Sequence, residues 1–544
     1  MNAKKGIVLG MAIAVVFLIA AVGSASANGV CWIDSGSDSY HPEGYYKCGD
    51  LVNYSCTLNA TMTCSSGLGL KVNNDTVPIT INGYNATNTA YYAIDGSSPG
   101  DCVNTYRSGI YNYNTTLQHG YDNVTLKNLE IKNFCFGIRL KGNSSNRVEN
   151  NTIDNCSVHD NGDGGGYTMG IDVYKGDRCN ITNCTVYNNT GEVITGCGTG
   201  GHGINLYGCG CEVETFYGHH NVTNNTIYNN TMAGIYSKNG CKYNNISYNK
   251  VYENGKVVGG ATSYFGGGIR LECMNTDNWT VSYNTVTDNY GPGVFVRGDY
   301  NNITHNDVTN NKNASSVATG VDVGVGYGIF IHSQGEHNNI TYNRVCNNNG
   351  TDIYNDSDAT NTFDENICNK SHPDGLCEYD CVDAYKYQVD NSPGANNPNI
   401  EFNTTEYANA RVDDDVRACN KTTSNGNYAA HRFNFTVREP AAKIDKIKVI
   451  WNGIGDHDSA GATDGAKLYI YNFNSGSYGN PLDSDTTTDE EITLTGEKTS
   501  SISNYINSNN VTILVNQTSA HGGRPPYSHI RTDLVKIVIY FKHP

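Results

Sequence analysis

The stretch 222–229 reads VTNNTIYN, and close variants of it return along the chain. Downstream copies are ISYNKVYE at 246–253, VSYNTVTD at 281–288, ITHNDVTN at 303–310 and ITYNRVCN at 340–347. Upstream copies are LKNLEIKN at 126–133, VENNTIDN at 148–155 and ITNCTVYN at 181–188, and a degenerate copy begins at Phe363. A unit that recurs with insertions of variable length is typical of a solenoid.

Apolar residues alternate within each copy and show no helical period, which predicts short strands. A Gly-Ile or Gly-Val pair begins a further strand in each coil, at Gly137, Gly170, Gly203, Gly234, Gly268, Gly293 and Gly328. Stacked coils pair each strand with its equivalents about 4.8 Å above and below, so that Ile and Val form a continuous core. We expect one turn position to hold hydrogen-bonding asparagines: Asn151, Asn225, Asn249, Asn284, Asn306 and Asn343, with Cys184 in one copy.

This repeat resembles the right-handed parallel β-helix repeat proteins, which include pectate-lyase-like enzymes and proteins with NosD-type repeats. The resemblance covers about residues 76–370 and implies a right-handed parallel β-helix. It does not imply one function, because the fold hosts lyases, hydrolases, epimerases, adhesins and surface proteins.

The remaining sequence predicts four further segments. Residues 1–27 have the charged start, apolar run and Ala25-Ser26-Ala27 site of a signal peptide, and no second apolar run predicts an anchor. Residues 28–75 form an expected disulfide-rich cap, in which CGD at 48–50 and SCTLN at 55–59 resemble the first segment of archaeal secreted β-helix proteins. Residues 371–404 are a cap or linker, and 405–544 predict an antiparallel β-sandwich of the jelly-roll type.

Charge and cysteine content limit the partners. The net charge of −17 argues against nucleic acid, which needs clustered Lys and Arg. The 19 cysteines of an exported chain predict disulfides, with at least one cysteine left over. Numerous sequons, including those at Asn53, Asn180 and Asn434, predict a glycoprotein. Secretion or attachment at the cell surface follows from these features together.

Two rows of side chains are candidates for a binding surface on the Gly-Ile strands, because alternate residues point outward. The first lane is Arg139, Asp172, Asn205, Tyr236, Arg270, Phe295 and Phe330, and the second lane is Lys141, Tyr174, Tyr207, Lys238, Glu272, Arg297 and His332. Aromatic rings can stack on sugars, and Arg or Lys can bind uronate carboxylates. Inserted segments, including 160–170 and 253–268, precede these strands. They are expected to form a wall along one side of the two rows. A solvated sheet face is the competing interpretation.

Catalytic residues are not defined by the sequence. A uronate lyase needs a base and cationic stabilisation of an enolate, and Asp172, Glu272, Arg270 and Arg297 offer such groups. Asp172 and Glu272 are expected about three coils apart, too far to share calcium. The glycosidase-like strings GHG at 201–203 and NTD at 275–277 occur in the wrong order, without the paired aspartates expected between them.

The sequence does not define a metal site either. Copper would need grouped His or Met, whereas His202, His219, His220 and His332 are scattered. The pair Cys209 and Cys211 lacks a second pair at zinc spacing. Asp456, Asp458 and Asp464 could bind calcium or form a solvated turn.

Three hypotheses therefore follow from the sequence. The leading one is a secreted or cell-surface β-helix protein that binds polysaccharide or cell-surface glycan, or contributes to the envelope. The alternative is a polysaccharide lyase or related enzyme that acts on acidic polysaccharide. The third is a structural spacer without a ligand.

Overall fold

The computed structural model describes residues 29–541 except 34–44, 74–77, 85–90, 101, 103–106, 144, 164–165, 192, 195–197, 209–216, 239–240, 257–265, 273–275, 315–324, 378–381, 390–399, 411–415, 423–424, 438–440, 459–461, 488–489, 509 and 522–526. The predicted signal peptide, Cys209 and Cys211 therefore lie outside the described residues. No helix in the described part of the chain is long and apolar enough to cross a membrane.

Parallel strands stack into three long sheets that wrap one apolar core. In spatial order, sheet 1 contains Tyr45–Tyr46, Gly29–Ile33, Cys56–Leu58, Ile79–Asn82, Val124–Lys127, Thr152–Asp154, Asn180–Thr182, Asn221–Thr223, Asn245–Ser247, Thr280–Ser282, Asn302–Thr304, Asn339–Thr341 and Thr362–Asp364. Sheet 2 contains Met62–Thr63, Ala93–Asp95, Glu130–Lys132, Ser157–His159, Thr185–Tyr187, Thr226–Tyr228, Lys250–Tyr252, Thr285–Thr287, Asp307–Thr309, Arg344–Cys346 and Ile367–Cys368.

Sheet 3 is formed by the strands that follow the Gly-Ile pairs and by their equivalents at both ends. It contains Leu51–Val52, Leu70–Val72, Ser108–Asn112, Phe136–Lys141, Met169–Tyr174, His202–Tyr207, Ile235–Lys238, Ile269–Leu271, Val294–Val296, Ile329–Ile331, Ile353–Asn355 and Ser371–His372. A small fourth sheet contains Val148–Glu149, Gly176–Asp177, Tyr217–Gly218 and Cys241–Lys242, and a short hairpin pairs Val193–Ile194 with Gly198–Thr199.

The segment predicted to be an N-terminal cap contributes strands to all three sheets. Gly29–Ile33 pairs in parallel with Cys56–Leu58, and Leu70–Val72 pairs with Ser108–Asn112. Disulfides Cys31–Cys56 and Cys48–Cys64 cross-link this region, as its cysteine content suggests. Parallel pairing thus begins well before residue 76, while the domain limits given above stay a prediction.

The predicted alignment of the repeat copies is wrong for the copy at 148–155. Ile153, and not Val148, pairs with Ile181 in sheet 1, because Val148 lies in the fourth sheet opposite Gly176. The error arises since apolar residues recur every five positions here, at Val148, Ile153 and Val158, all of which are buried. A shift by five residues therefore preserves the pattern.

Asparagine ladders occupy three turns of the coil instead of one. Between sheets 1 and 2 the ladder contains Asn225, Asn249, Asn284, Asn306, Asn343 and Asn366, joined by side-chain hydrogen bonds of 3.0–3.1 Å. Between sheets 2 and 3 it contains Asn161, Asn189, Asn230, Asn254, Asn289, Asn311 and Asn348. Asn151 belongs to a third ladder, before sheet 1, where its Oδ1 accepts from the Val124 N–H at 2.8 Å.

Two antiparallel sheets form the predicted C-terminal sandwich. One contains Ile400–Glu401, Val382–Val389, Tyr428–Thr436, Asn510–Gln517, Ala466–Ile470 and Asp483–Asp485, and the other Ala418–Thr422, Ser528–Phe541, Ile444–His457 and Ile492–Lys498. Between them lies an apolar core that includes Phe433, Trp451 and Ile513. The α-helix Thr404–Asn409 begins with a capping box of Asn403 and Glu406, and short 3-10 helices cover Ala441–Lys443 and Ile502–Asn504.

Candidate functional site

Sheet 3 places the two predicted lanes in register. Along the first lane, Arg139 pairs with Asp172, and the column continues through Asn205, Tyr236, Arg270, Phe295 and Phe330. Along the second lane, Lys141, Tyr174, Tyr207 and Lys238 are paired in that order. Backbone hydrogen bonds from Glu272 to Ser237, from Arg297 to Leu271 and from His332 to Val296 continue this register.

The first lane is buried, although the alternation of the strand had suggested a solvent-facing row. Its cover includes the described parts of the inserted segments that precede each strand. Tyr167 packs on Phe136 beside Arg139, the Gly266 carbonyl accepts from Arg270 Nη1 at 3.5 Å, and Tyr327 packs on Phe330. The insertions therefore cover this lane instead of only flanking it.

Ion pairing keeps the buried charges of the first lane compensated. Arg139 Nε lies 3.0 Å from Asp172 Oδ2, and Asn205 donates to the other oxygen of Asp172 at 2.7 Å. Burial raises the pKa of Asp172, while the Arg139 guanidinium opposes that shift. Because Asp172 is fully buried and Arg139 nearly so, this pair is not open to a polymer on the surface.

A second cluster of charges lies three coils along. Arg270 Nε bonds Glu272, and the guanidinium of Arg270 lies 3.9 Å from the centre of the Phe295 ring. Arg297 approaches the same carboxylate at 3.8 Å and donates to Gln334 Oε1 at 2.6 Å. Glu272 and Arg270 are buried, whereas Arg297 is about one-third exposed, so that Arg297 is the member of the cluster that faces solvent.

The second lane is the partly exposed one. Lys141, Tyr174, Tyr207, Lys238, Arg297 and His332 are all half-buried, and Glu272 is the buried member of the lane. The Lys141 ammonium lies 4.5 Å from the centre of the Tyr113 ring, and burial next to Arg139 lowers the pKa of Lys141. Burial and the neighbouring Arg297 likewise lower the pKa of His332. The lane thus presents a row of nitrogen donors and phenol groups.

The two tyrosines of this lane cover part of each other's ring surface. Tyr174 and Tyr207 stack on each other with ring centres 4.9 Å apart and an interplanar angle of 8°. Each ring covers one face of the other, so a sugar cannot stack on the two inner faces of the pair. Tyr236 is buried and stacks on His202 at 4.1 Å.

Three residues that contact the side chains of the second lane were not predicted from the sequence. Gln334 holds Arg297, Tyr113 underlies Lys141, and Lys175 lies with its ammonium 5.3 Å from the Tyr174 ring. Gln334 and Lys175 follow lane residues closely in sequence, at His332 and Tyr174. Turn residues next to a lane were therefore a usable signal.

The strip shows no carboxylate pair of the kind a glycosidase uses, among the residues described. Asp172 and Glu272 lie three coils apart in sheet 3, about 14 Å at roughly 4.8 Å per coil. Retaining and inverting glycosidases need about 5–9.5 Å between two carboxyl groups. Both carboxylates are also engaged by arginines.

The acidic loop of the sandwich gathers a different set from the one expected. Oxygen and nitrogen atoms of Asp456, Asp458 and His529 lie within 4.8 Å of one another. Asp464 instead accepts from the backbone N–H of His457 at 2.7 Å. Arg531 donates to Asp456 at 3.0 Å and His529 bonds Asp458 at 3.2 Å, so internal partners already occupy much of this cluster.

Cysteines are divided between cross-links and buried thiols. Further disulfides join Cys102 to Cys135 and Cys368 to Cys377 in the described chain. Cys156, Cys179, Cys184 and Cys241 are buried thiols, and Cys419 is an exposed one. Burial raises the pKa of Cys179 and Cys241 to about 12, which keeps both protonated and unreactive.

Comparison with known proteins identifies the fold. Residues 169–339 match the family model of the right handed beta helix region, so the solenoid is a right-handed parallel β-helix, as predicted. Residues 379–541 match a family model described as "Uncharacterized protein, C-terminal domain". A search of curated proteins finds no match.

Several solved structures are similar to this chain. DFA-IIIase from Arthrobacter chlorophenolicus A6 is 14% identical, with 53% of this chain and 56% of that chain covered and a TM-score of 0.28. The Azotobacter vinelandii mannuronan C-5 epimerase AlgE6 A-module is 11% identical, with 59% and 86% covered and a TM-score of 0.31. The tailspike gp49 of Acinetobacter baumannii bacteriophage Fri1, a capsular polysaccharide depolymerase, is 10% identical, with 91% and 72% covered and a TM-score of 0.28. This chain thus spans little more than half of the DFA-IIIase chain, and such distant likeness carries no argument about activity.

Proposed function

We propose that the chain is a secreted or cell-surface β-helix protein that binds an acidic polysaccharide along the second lane of sheet 3. The observation that supports this most is the register of Lys141, Lys238 and Arg297 on one half-exposed row. Lys141 and Lys238 lie three coils apart, about 14 Å at roughly 4.8 Å per coil, and Arg297 lies two coils further. A polymer with regularly spaced carboxylates can meet such a row at several points at once.

Local charge supports the choice of an acidic polymer, although the chain as a whole is acidic. The carboxylate of the lane, Glu272, and the carboxylate beside it, Asp172, are buried and bound to arginines. Arg297 is held in place by Gln334, and its side chain is about one-third exposed. A fixed guanidinium suits planar carboxylates and loses little side-chain entropy on binding.

The test is equilibrium binding of polygalacturonate and alginate to the full chain and to the double variant Lys238→Ala/Arg297→Ala. Each exposed cation contributes about 1 kcal/mol to such contacts, so the double variant should bind about 30-fold more weakly. Lys127→Ala, a half-exposed lysine on sheet 1, is the matched control and should bind as the wild type does. Affinity should also fall as salt is added. Equal weakening by both variants, or binding that ignores salt, would overturn the proposal.

A polysaccharide lyase is the second candidate. Its support is the meeting of Arg270, Glu272 and Arg297 in one cluster, with His332 close enough for these charges to influence its pKa. A neutral imidazole beside guanidinium groups is suited to remove a proton and stabilise an enolate. An ultraviolet signal from unsaturated sugar ends, lost in His332→Ala, would establish this candidate in place of simple binding.

A further inference from the structure

A cavity of about 660 Å³ lies where sheet 2 meets the C-terminal sandwich. Its solenoid wall includes Thr285, Thr287 and Thr309, and its sandwich wall is the segment Glu401, Phe402 and Asn403. This volume falls within the range of about 300–1,000 Å³ that is usual for small-ligand sites. The cavity lies on a different sheet from the second lane and shares no residue with it.

A change of residue size along sheet 2 forms the recess. His159, Tyr187, Tyr228 and Tyr252 stack in successive coils, with ring centres 4.5–4.9 Å apart. The next residue in register with Tyr252 is Thr287, followed by Thr309. Threonine is too small to cover a tyrosine ring, so the stack ends in a step and the cavity begins at that step. The ammonium of Lys250, a lining residue, lies 5.1 Å from the centre of the last ring of the stack.

Five charged residues line the cavity, Lys250, Asp288, Asp307, Arg344 and Glu401, and the side chains of all but Lys250 have an ion pair or a hydrogen bond within the described protein. Arg344 binds Asp307 at 2.8 Å, and its guanidinium lies 4.2 Å from the centre of the Tyr407 ring of the sandwich. Lys312 binds Asp288 at 2.7 Å, and Tyr407 donates to Glu401 at 3.2 Å. The rest of the lining consists mainly of residues with hydroxyl and amide groups, which are Thr285, Thr287, Thr309, Asn310, Asn347 and Asn403. Those groups bind hydroxyl-rich, uncharged molecules without the cost of burying a ligand charge.

We infer that this cavity is a second carbohydrate site, specific for a short neutral saccharide. The threonine hydroxyls and Asn403 would bond sugar hydroxyls, while Phe402 would supply apolar surface for a pyranose ring. Because both domains form its walls, the site exists only in the complete chain. It does not depend on the acidic-polymer site of sheet 3.

The experiment uses calorimetric titration of the full chain with cellobiose, maltose, lactose and mannobiose. We expect at least one of these disaccharides to bind with a Kd at or below the millimolar range. Thr287→Tyr continues the tyrosine column of sheet 2, which this outward position should tolerate, and it fills the recess. Binding should therefore weaken at least tenfold in this variant.

Two controls separate this inference from the proposed function. Thr223→Tyr adds the same ring to the outer face of sheet 1 and should leave disaccharide binding unchanged. Lys238→Ala/Arg297→Ala should also leave it unchanged, while it weakens the acidic polymer. Absence of binding by all four disaccharides, or equal binding by Thr287→Tyr and wild type at equal melting temperature, would overturn the inference.

Discussion

Asn284 illustrates how single side chains hold neighbouring coils together. Its Oδ1 accepts from the backbone N–H of Asn249 at 2.9 Å and from the Asn249 side chain at 3.0 Å. Its own amide donates to the Ile246 carbonyl at 2.9 Å and to Asn306 at 3.0 Å. Each ladder asparagine thus satisfies buried backbone groups that the turns leave without partners.

Replacing Asn284 with alanine should destabilise the solenoid by about 3 kcal/mol, because buried donors on Asn249 lose their acceptor. Chemical denaturation followed by circular dichroism measures the change. Asn339→Ala is the matched control, since Asn339 is exposed and makes a surface bond to Asn302. Its cost should stay below about 1 kcal/mol. Equal losses of unfolding free energy in the two variants would show that the ladder hydrogen bonds do not provide this stability.

One ladder was predictable from the sequence and two were not. The repeat VTNNTIYN fixes Asn225 and its equivalents, because they hold the same place in nearly every copy. Asn230 and its equivalents follow five residues later, outside the copied string, and were overlooked. The same five-residue period produced the wrong register at Val148. Local periodicity alone could not distinguish registers that differ by five residues, since Val148, Ile153 and Val158 are all buried.

Glycines at the start of the sheet 3 strands allow the coil to close tightly. A Cβ on Gly268 would lie 2.4 Å from Val286 Cγ1 and 2.6 Å from the Gly293 carbonyl oxygen. Gly203 and Gly293 face the same kind of contact with Ile227 and Val308. The Gly-Ile signal in the sequence therefore reflects close approach between sheets 2 and 3.

Gly268→Ala should overpack this contact and lower stability by about 2 kcal/mol or more. Thermal unfolding of the variant beside Thr185→Ala, a half-exposed position on sheet 2, provides the comparison. We expect a clear drop in Tm for Gly268→Ala and little change for Thr185→Ala. An unchanged Tm for Gly268→Ala would mean that the sheets can separate there at no cost.

The positions of the candidate site were predictable at the element level, but its accessibility was not. Alternation along the strand correctly placed Arg139 and Lys141 on the outer side of sheet 3. It could not show that inserted segments cover the first lane, because cover depends on contacts between distant parts of the chain. Tyr167 and Gly266 make such contacts from the insertions.

At the scale of the whole molecule, buried histidines link stability to pH. Burial lowers the pKa of His202 to about 3 and that of His220 to about 4. In the unfolded chain both titrate near 6.5, so the unfolded state binds more protons below that pH. The contribution of each neutral histidine is therefore complete above about pH 6.5 and declines as the pH falls toward the folded value.

His202→Met should reduce this acid sensitivity, since Met169 occupies the equivalent place one coil below. Between pH 6 and 4 the free energy of unfolding of the wild type should fall by up to about 1.4 kcal/mol per pH unit for each buried histidine. The variant should lose stability less steeply, whatever its stability at pH 7. His219→Gln, at a half-exposed position, is the control and should keep the wild-type slope. Parallel slopes for His202→Met and wild type would contradict this assignment.

The central claim, that the second lane of sheet 3 binds acidic polysaccharide, is tested most directly by titrating the mature, oxidised protein with a panel of acidic and neutral polysaccharides. Binding and the ultraviolet signal of unsaturated sugar ends are recorded together, with and without calcium. The account predicts salt-sensitive binding of at least one acidic polymer, without product, and its loss in Lys238→Ala/Arg297→Ala. Failure of every acidic polymer to bind would contradict it and favour a structural spacer, and product formation would replace binding with a lyase.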